Sequence, residues 1–177
     1  MASDPTRPAL IETQRLQLIT LPPEELRALI AVNTARAREL TGVSFPPGWF
    51  ADPGRAEGLP WHLRHLEGHE THRAWRVRVV VERAAQLAIG AITLKGPPNA
   101  EGDVEIGWGI DLAYRRHGYA TEAANAVARW ASTHPEFQSL SATIADDNLG
   151  SQRVAMRLGM VRTSEQRRDE PLWLRQA

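Results

Sequence analysis

The residues best suited to chemistry in this chain cluster at four places. Arg115-Arg116-His117-Gly118-Tyr119-Ala120 sets two guanidinium groups and a histidine around one glycine, directly ahead of an alanine-rich helical pattern. A strand pattern, a basic glycine-containing turn and a helix start aim several backbone N–H groups at one point, where the helix dipole also favours negative charge. A phosphate is the anion this suggests. Gly118 permits close backbone approach and Ala120 stays small, while Arg115 and Arg116 add charge. Asn148 and Ser151 lie one helical turn apart and so share a face; Asn148, after Asp146-Asp147, is also a good helix N-cap. Glu105 stands on a strand pattern, on the face opposite Val104, Ile106 and Trp108. His62, His65 and His69 share a face if their segment is helical. Zinc would need three or four convergent ligands with supporting partners. No partner motif supplies them, so a polar helix face is expected and no metal. Lining a pocket is the third option for these histidines, open also to Trp49, Phe50 and Trp61, whereas Trp130 and Trp173 read as core.

The surrounding pattern must position these groups. Leu10 to Thr20 alternates as a first strand, and Pro22-Pro23-Glu24-Glu25 opens a helix running through Leu26, Leu29 and Ile30. Gly42 to Pro60 contains four prolines and four glycines and reads as a long irregular segment, followed by a short helical candidate at Trp61 to Gly68. Trp75 to Glu82 and Gln86 to Lys95 form an expected hairpin. Residues 103–111 form the fourth strand, in which Gly107 and Gly109 suggest a bulge or a close backbone approach. The helix after Gly118 ends before Pro135. A strand at Ser139 to Ala145 follows, then a short helix stopping at Gly159, and strands at Met160 to Gln166 and Leu172 to Arg175. The order β-α-α-βββ-α-β-α-ββ predicts an α/β (α+β-like) mixed sheet with helices on both faces.

Composition narrows the function classes. A chain of 177 residues is expected to form a single domain, 1–177, burying roughly 68–70% of its unfolded surface. Its 21 basic and 21 acidic residues balance, which argues against nucleic acid or a membrane surface as a dominant partner. The absence of cysteine removes disulfides, thiolate metal sites and cysteine nucleophiles together. No apolar run approaches the roughly 18 residues of a membrane span, and MASDPTRPAL lacks a hydrophobic signal core, so a cytoplasmic location is expected.

The element order and three local motifs resemble the GCN5-related N-acetyltransferase (GNAT) superfamily across nearly the whole chain. The family's phosphate motif, Arg/Gln-x-x-Gly-x-Gly/Ala, is matched by Arg115, Gly118 and Ala120. Its later Asn-x-x-Ser/Ala signature with a Leu-Gly-Phe-like ending is matched by Asn148, Ser151 and Leu158-Gly159-Met160. Glu105-Ile106-Gly107, before the turn, looks most like the ribosomal-protein-alanine N-acetyltransferase branch.

That resemblance implies a mixed, mostly antiparallel central sheet splayed at the fourth strand. The pantetheine arm of acetyl-CoA would lie in the gap, served by backbone groups of Ile110 and Leu112. The diphosphate would sit on Arg115, Arg116, His117, Gly118, Tyr119 and Ala120, with Asn148 and Ser151 on the arm or the departing thiolate. Glu105 resembles the family's glutamate base. Proton removal matters because α-amines are neutral to only roughly 10% at pH 7, and lysine amines scarcely at all. Many relatives carry a tyrosine acid seven residues after the asparagine, where this chain has Ala155. A thiol of pKa about 8.5 leaves tolerably without full protonation. The implied function is acetyl-CoA-dependent acetylation of a primary amine, either a protein N-terminus or a small molecule. A non-catalytic acyl-CoA-binding domain on the same fold is the alternative. A homodimer is a family-level expectation.

Overall fold

In a computed structural model, which describes residues 10–177, eight strands form one sheet in the order β1-β2-β3-β4-β5-β6-β8-β7. The strands are β1 (Ile11–Glu12), β2 (Leu16–Thr20), β3 (Arg78–Glu82), β4 (Leu87–Leu94), β5 (Asp103–Ile110), β6 (Ser139–Thr143), β7 (Val161–Arg167) and β8 (Glu170–Gln176). Every pairing is antiparallel except β5 with β6. The helices are α1 (Pro23–Ile30), α2 (Thr34–Thr41), α3 (Pro47–Phe50), α4 (Pro53–Leu66), α5 (Tyr119–Ala131) and α6 (Leu149–Arg157). The N-terminal stretch expected to lack a signal core lies, through residue 9, outside the described residues.

Both faces of the sheet are covered, which explains why β3 reads as an apolar run rather than an alternation. Val80 faces the core under α5, with Leu16, Leu18, Val127 and Ala131, while Val79 and Val81 face α1 to α4, with Leu26, Leu29, Trp49 and Leu66. The register of β3 on β4 slips at Val80/Val81, leaving Ile89 as the extra residue of a bulge. The Ile89 carbonyl accepts the Asp111 N–H at 2.9 Å, tying the end of β5 to the bulge. The bulge thus lies in β4, and of the two options for Gly107 and Gly109 in β5 the structure shows the close approach.

The first strand is divided by a turn in which Thr13 N–H donates to Leu16 O at 2.9 Å. The strand expected as fourth is thus β5. The segment 42–60 is not irregular: Pro47 and Pro53 occupy helix starts, and the Asp52 carboxylate caps α4 by accepting the Arg55 N–H at 2.9 Å. Proline fits a first turn because its missing N–H would lack a partner there anyway.

The splay is built into β5. Ile106 to Ile110 pair with Leu94 to Gly90 of β4, while Asp103 to Glu105 pair with Ser139 to Ser141 of β6. Beyond Glu105, β5 and β6 part company, so one strand serves two neighbours in succession and leaves a cleft.

Candidate active site

Residues 115–120 form an open anion cradle. Leu112–Tyr114 make one turn of 3₁₀ helix, after which Arg116 (φ 64°) and Gly118 (φ 82°) take left-handed conformations. Gly118 is the N-cap of α5 and supplies no side-chain cap. Among the described residues, none of the backbone N–H groups of 116–121 donates to a backbone carbonyl. Such a row of free donors at the start of a 13-residue helix suits a phosphate. Glu122, in the first turn, is the one acid that would oppose an anion. It is neutralised by Arg15, whose Nε donates to Oε2 at 2.7 Å, and by the Thr13 hydroxyl at 2.6 Å. Burial tends to raise its pKa, but these bonds outweigh that and hold it below the ordinary carboxylate range. Arg15 also donates to His117 O at 3.0 Å and lies over the Tyr119 ring, fixing the turn from the β1–β2 connection.

The side chains do not all point outward as the sequence suggested. Arg115 Nε donates back to Ile110 O at 2.7 Å, so that carbonyl is already engaged and Arg115 braces the turn. Arg116 and His117 are exposed, and Leu112 is 79% exposed.

The cleft between β5 and β6 is a cavity of about 190 Å³ lined by Ile106, Gly107, Trp108, Thr143, Asn148, Ser151 and Glu170 among others. Asn148 Oδ1 accepts the Ser151 N–H at 3.1 Å, so the capping role and the position at the cleft coexist. Ala155 is fully buried in the core beneath α6.

Glu105 stands where the splay begins, on neither cavity wall. Its Oε2 accepts Arg167 Nη1 at 2.9 Å, and its Oε1 is paired with Arg168. Burial tends to raise its pKa, but the hydrogen bonds from Arg168 and Arg167 prevail and hold it lowered. Both arginines sit at the tight β7–β8 turn, where Arg168 (φ 56°) and Asp169 (φ 62°) take the two left-handed positions of a type I′ hairpin. The clamp on Glu105 is thus made by residues far along the chain.

A second cavity, about 230 Å³, lies on the other side of β5 against α4. Asp52, Arg55, His62, Thr93, Gly107, Trp108 and Gly109 contribute to it, so Gly107 and Trp108 wall both cavities. A Cβ at Gly107 would stand 2.8 Å from Thr93 Oγ1, and one at Gly90 only 2.2 Å from Gly109 O. The β4–β5 contact beside this cavity requires glycine.

The three histidines do not converge. His62 is buried, and burial first, then the charges of Lys95 and Arg76, push its pKa down to about 3. It is therefore neutral at pH 7, not part of a solvated face. His65 stacks on Trp61 with ring centroids 3.9 Å apart, and His69 lies beyond α4, stacked on His72. No metal-binding group occurs among the described residues. Trp49 is core rather than pocket lining, with Nε1 donating to Gly90 O at 3.3 Å; Trp173 is buried as expected, and Trp130 is half-buried against Trp75.

A cleft in a splayed sheet beside an open helix N-terminus is joined by sequence similarity. Residues 15–161 match the family model described as the acetyltransferase (GNAT) domain. The chain belongs to the GNAT acetyltransferase family. A GNAT relative, the uncharacterized N-acetyltransferase YjdG of Bacillus subtilis strain 168, is 28% identical over 155 residues, covering 86% of this chain and 89% of its own. The ribosomal-protein-S5-alanine acetyltransferase of Vibrio fischeri shares the fold at TM-score 0.65 and 17% identity, over 96% of each chain. The microcin C7 self-immunity acetyltransferase MccE, solved with acetyl-CoA and AMP, does so at TM-score 0.60 and 11% identity, covering 93% of this chain and 94% of its own.

Within this GNAT enzyme, sequence reasoning missed Arg55 and Glu170. Arg55 is buried inside what read as a loop; its Nε donates to Trp49 O at 2.7 Å and its Nη2 is paired with Asp111. The capping Asp52, three residues earlier, was the available signal for a helix there. Glu170 reaches the cleft only because the hairpin turn folds β8 back on β6, which no local pattern announces.

Proposed function

We propose that this protein transfers the acetyl group of acetyl-CoA directly to a primary amine. One observation carries this reading: two cavities, one in the splay and one beside α4, share the wall Gly107–Trp108. A thioester lying in the first and an amine entering through the second would meet across that wall. The diphosphate binds the free N–H groups of 116–121, with Arg116 and His117 adding charge and Arg115 holding the turn. Asn148 and Ser151 contact the pantetheine arm or the departing sulfur.

In the reaction the amine nitrogen attacks the carbonyl carbon, a C–N bond forms, the C–S bond breaks and CoA leaves as thiolate. The proton released from nitrogen passes through water to Glu105, which stands off both cavity walls, and on to solvent. Because Arg167 and Arg168 weaken that carboxylate as a base, the rate is governed by the fraction of neutral amine. Neither tyrosine lines the cleft and the Thr143 hydroxyl is engaged by Glu105 and Arg168, which leaves the Ser151 hydroxyl to serve the thiolate. The acceptor is a protein N-terminus, such as that of a ribosomal protein, or a small-molecule amine.

A second reading, an acyl-CoA-binding domain without turnover, is favoured by the buried Ala155 and the clamped Glu105. An acceptor panel with acetyl-CoA separates the two. Thiol release above background, with product heavier by one acetyl group, is the expected result. Tight acetyl-CoA binding without transfer to ribosomal-protein N-terminal peptides, amino acids, polyamines or aminoglycosides would favour the binding domain.

A further inference from the structure

The cavity beside α4 contains polar atoms that the fold itself does not use. Arg55 Nη1 and His62 Nδ1 are both buried and make no hydrogen bond among the described residues. Both residues line this one cavity from α4. Leaving such groups unpaired in a folded protein is costly, so two at one concave wall mark a place where a ligand supplies the missing partners. The guanidinium can only donate. His62, neutral at pH 7, offers one further donor or acceptor.

The charges point the same way. Arg55 lines the cavity, and Lys95 and Arg76, outside its wall, lie close enough to act on the charge of His62. Opposing them are Asp111, held by Arg55, and Asp52, held at the N-terminus of α4. Three positive and two negative groups leave one positive charge. Neither Arg76 nor Lys95, the only lysine of the chain, has a carboxylate partner among the described residues; both rest on the Trp61 ring. A polycationic amine meets repulsion here. An amine that also carries a carboxylate meets the free Arg55 Nη1 and a favourable field. The cavity, about 230 Å³, is smaller than the roughly 300–1,000 Å³ usual for drug-sized ligands, which suits a compact molecule.

We propose that the acceptor is a small amine bearing a carboxylate, of the amino-acid type, whose carboxylate is received by Arg55 Nη1 and the neighbouring His62 ring nitrogen. This rests on the acetyltransferase reading and deepens it. Arg55 acts as a specificity residue: it reads the far end of the acceptor and leaves the amine to the Gly107–Trp108 wall.

The test compares amino acids with their matched amides, and with spermidine and an aminoglycoside, under saturating acetyl-CoA. Thiol release gives kcat/KM, and calorimetry gives acetyl-CoA affinity for each protein. The expected result is kcat/KM at least tenfold higher for amino acids than for their amides, with the polycations poorest. Arg55→Gln should collapse that ratio while acetyl-CoA affinity changes less than twofold. Lys95 is exposed, so Lys95→Glu folds safely and should raise KM several-fold for amino acids but not for amides. Equal use of the amides, preference for the polycations, or Arg55→Gln and Lys95→Glu slowing every acceptor alike would overturn this inference and leave the transferase standing. Acetyl-CoA binding without transfer to any acceptor overturns both.

Discussion

At the scale of single residues, Glu105 and Gly118 make the sharpest claims. Glu105→Gln should lower kcat by roughly 10²-fold, in line with loss of a positioned base, and leave acetyl-CoA affinity within about twofold. Because the wild-type carboxylate is already ionised well below neutrality, kcat/KM should rise with pH up to the amine's own pKa, near 8 for an α-amine, without a carboxylate step near pH 5. An inflection near 5 would mean that Glu105 is free of its arginines during turnover. Gly118→Val places a branched side chain at φ 82°, costing about 1–2 kcal/mol in the turn. Acetyl-CoA affinity measured by calorimetry should therefore fall about tenfold. The glycine, the basic pair and Asn148 were legible in the sequence because their roles are local. The clamp on Glu105 was not, since Arg167 and Arg168 lie 62 and 63 residues further along the chain. The inward bond of Arg115 escaped notice because a side chain's direction is not written in its spacing.

At the scale of elements, the decisive feature is a strand that changes partners. β5 leaves β6 after Glu105 and continues on β4 alone, opening the cleft, while close packing at Gly90 and Gly107 keeps β4 and β5 together. Gly107→Val should push against Thr93 and intrude on the wall shared by both cavities, abolishing transfer; circular dichroism would verify that the sheet survives. The Arg168–Asp169 turn holds two non-glycine residues at positive φ. Asp169→Gly should stabilise the protein by about 0.5–1 kcal/mol, raising Tm by roughly 2–4 °C in a thermal melt. The strands and α5 were readable because their apolar periods are clean. α3 and α4 were hidden by their own punctuation: prolines and glycines that mark helix starts also mark loops, and Pro60 sits inside α4. The splay was expected only through family resemblance, because register cannot be read from one strand alone.

At the scale of the whole molecule, the two helical layers enclose groups whose protonation is coupled to folding. His62 has a folded pKa near 3 against about 6.5 unfolded, so it is neutral in the fold and must be charged in the unfolded chain as pH falls. Stability from this group is fully present above pH 6.5 and declines below it, by about 2 kcal/mol at pH 5. Glu105 and Glu122, both with lowered pKa, keep their contribution above about 4.3 and lose it on further acidification. Urea midpoints at pH 7.5 and 5 should show the first decline, and His62→Leu should flatten it. No described helix is long and apolar enough to cross a membrane, and the sheet carries helices on both faces. This architecture gives β5 a cavity on each side. A crystal structure with CoA bound tests that account most directly. It should place the diphosphate on the N–H groups of 116–121 and the pantetheine arm against Ile106–Trp108, with the sulfur facing the cavity that holds Arg55 and His62. CoA bound elsewhere, or entering beside α4, would contradict it.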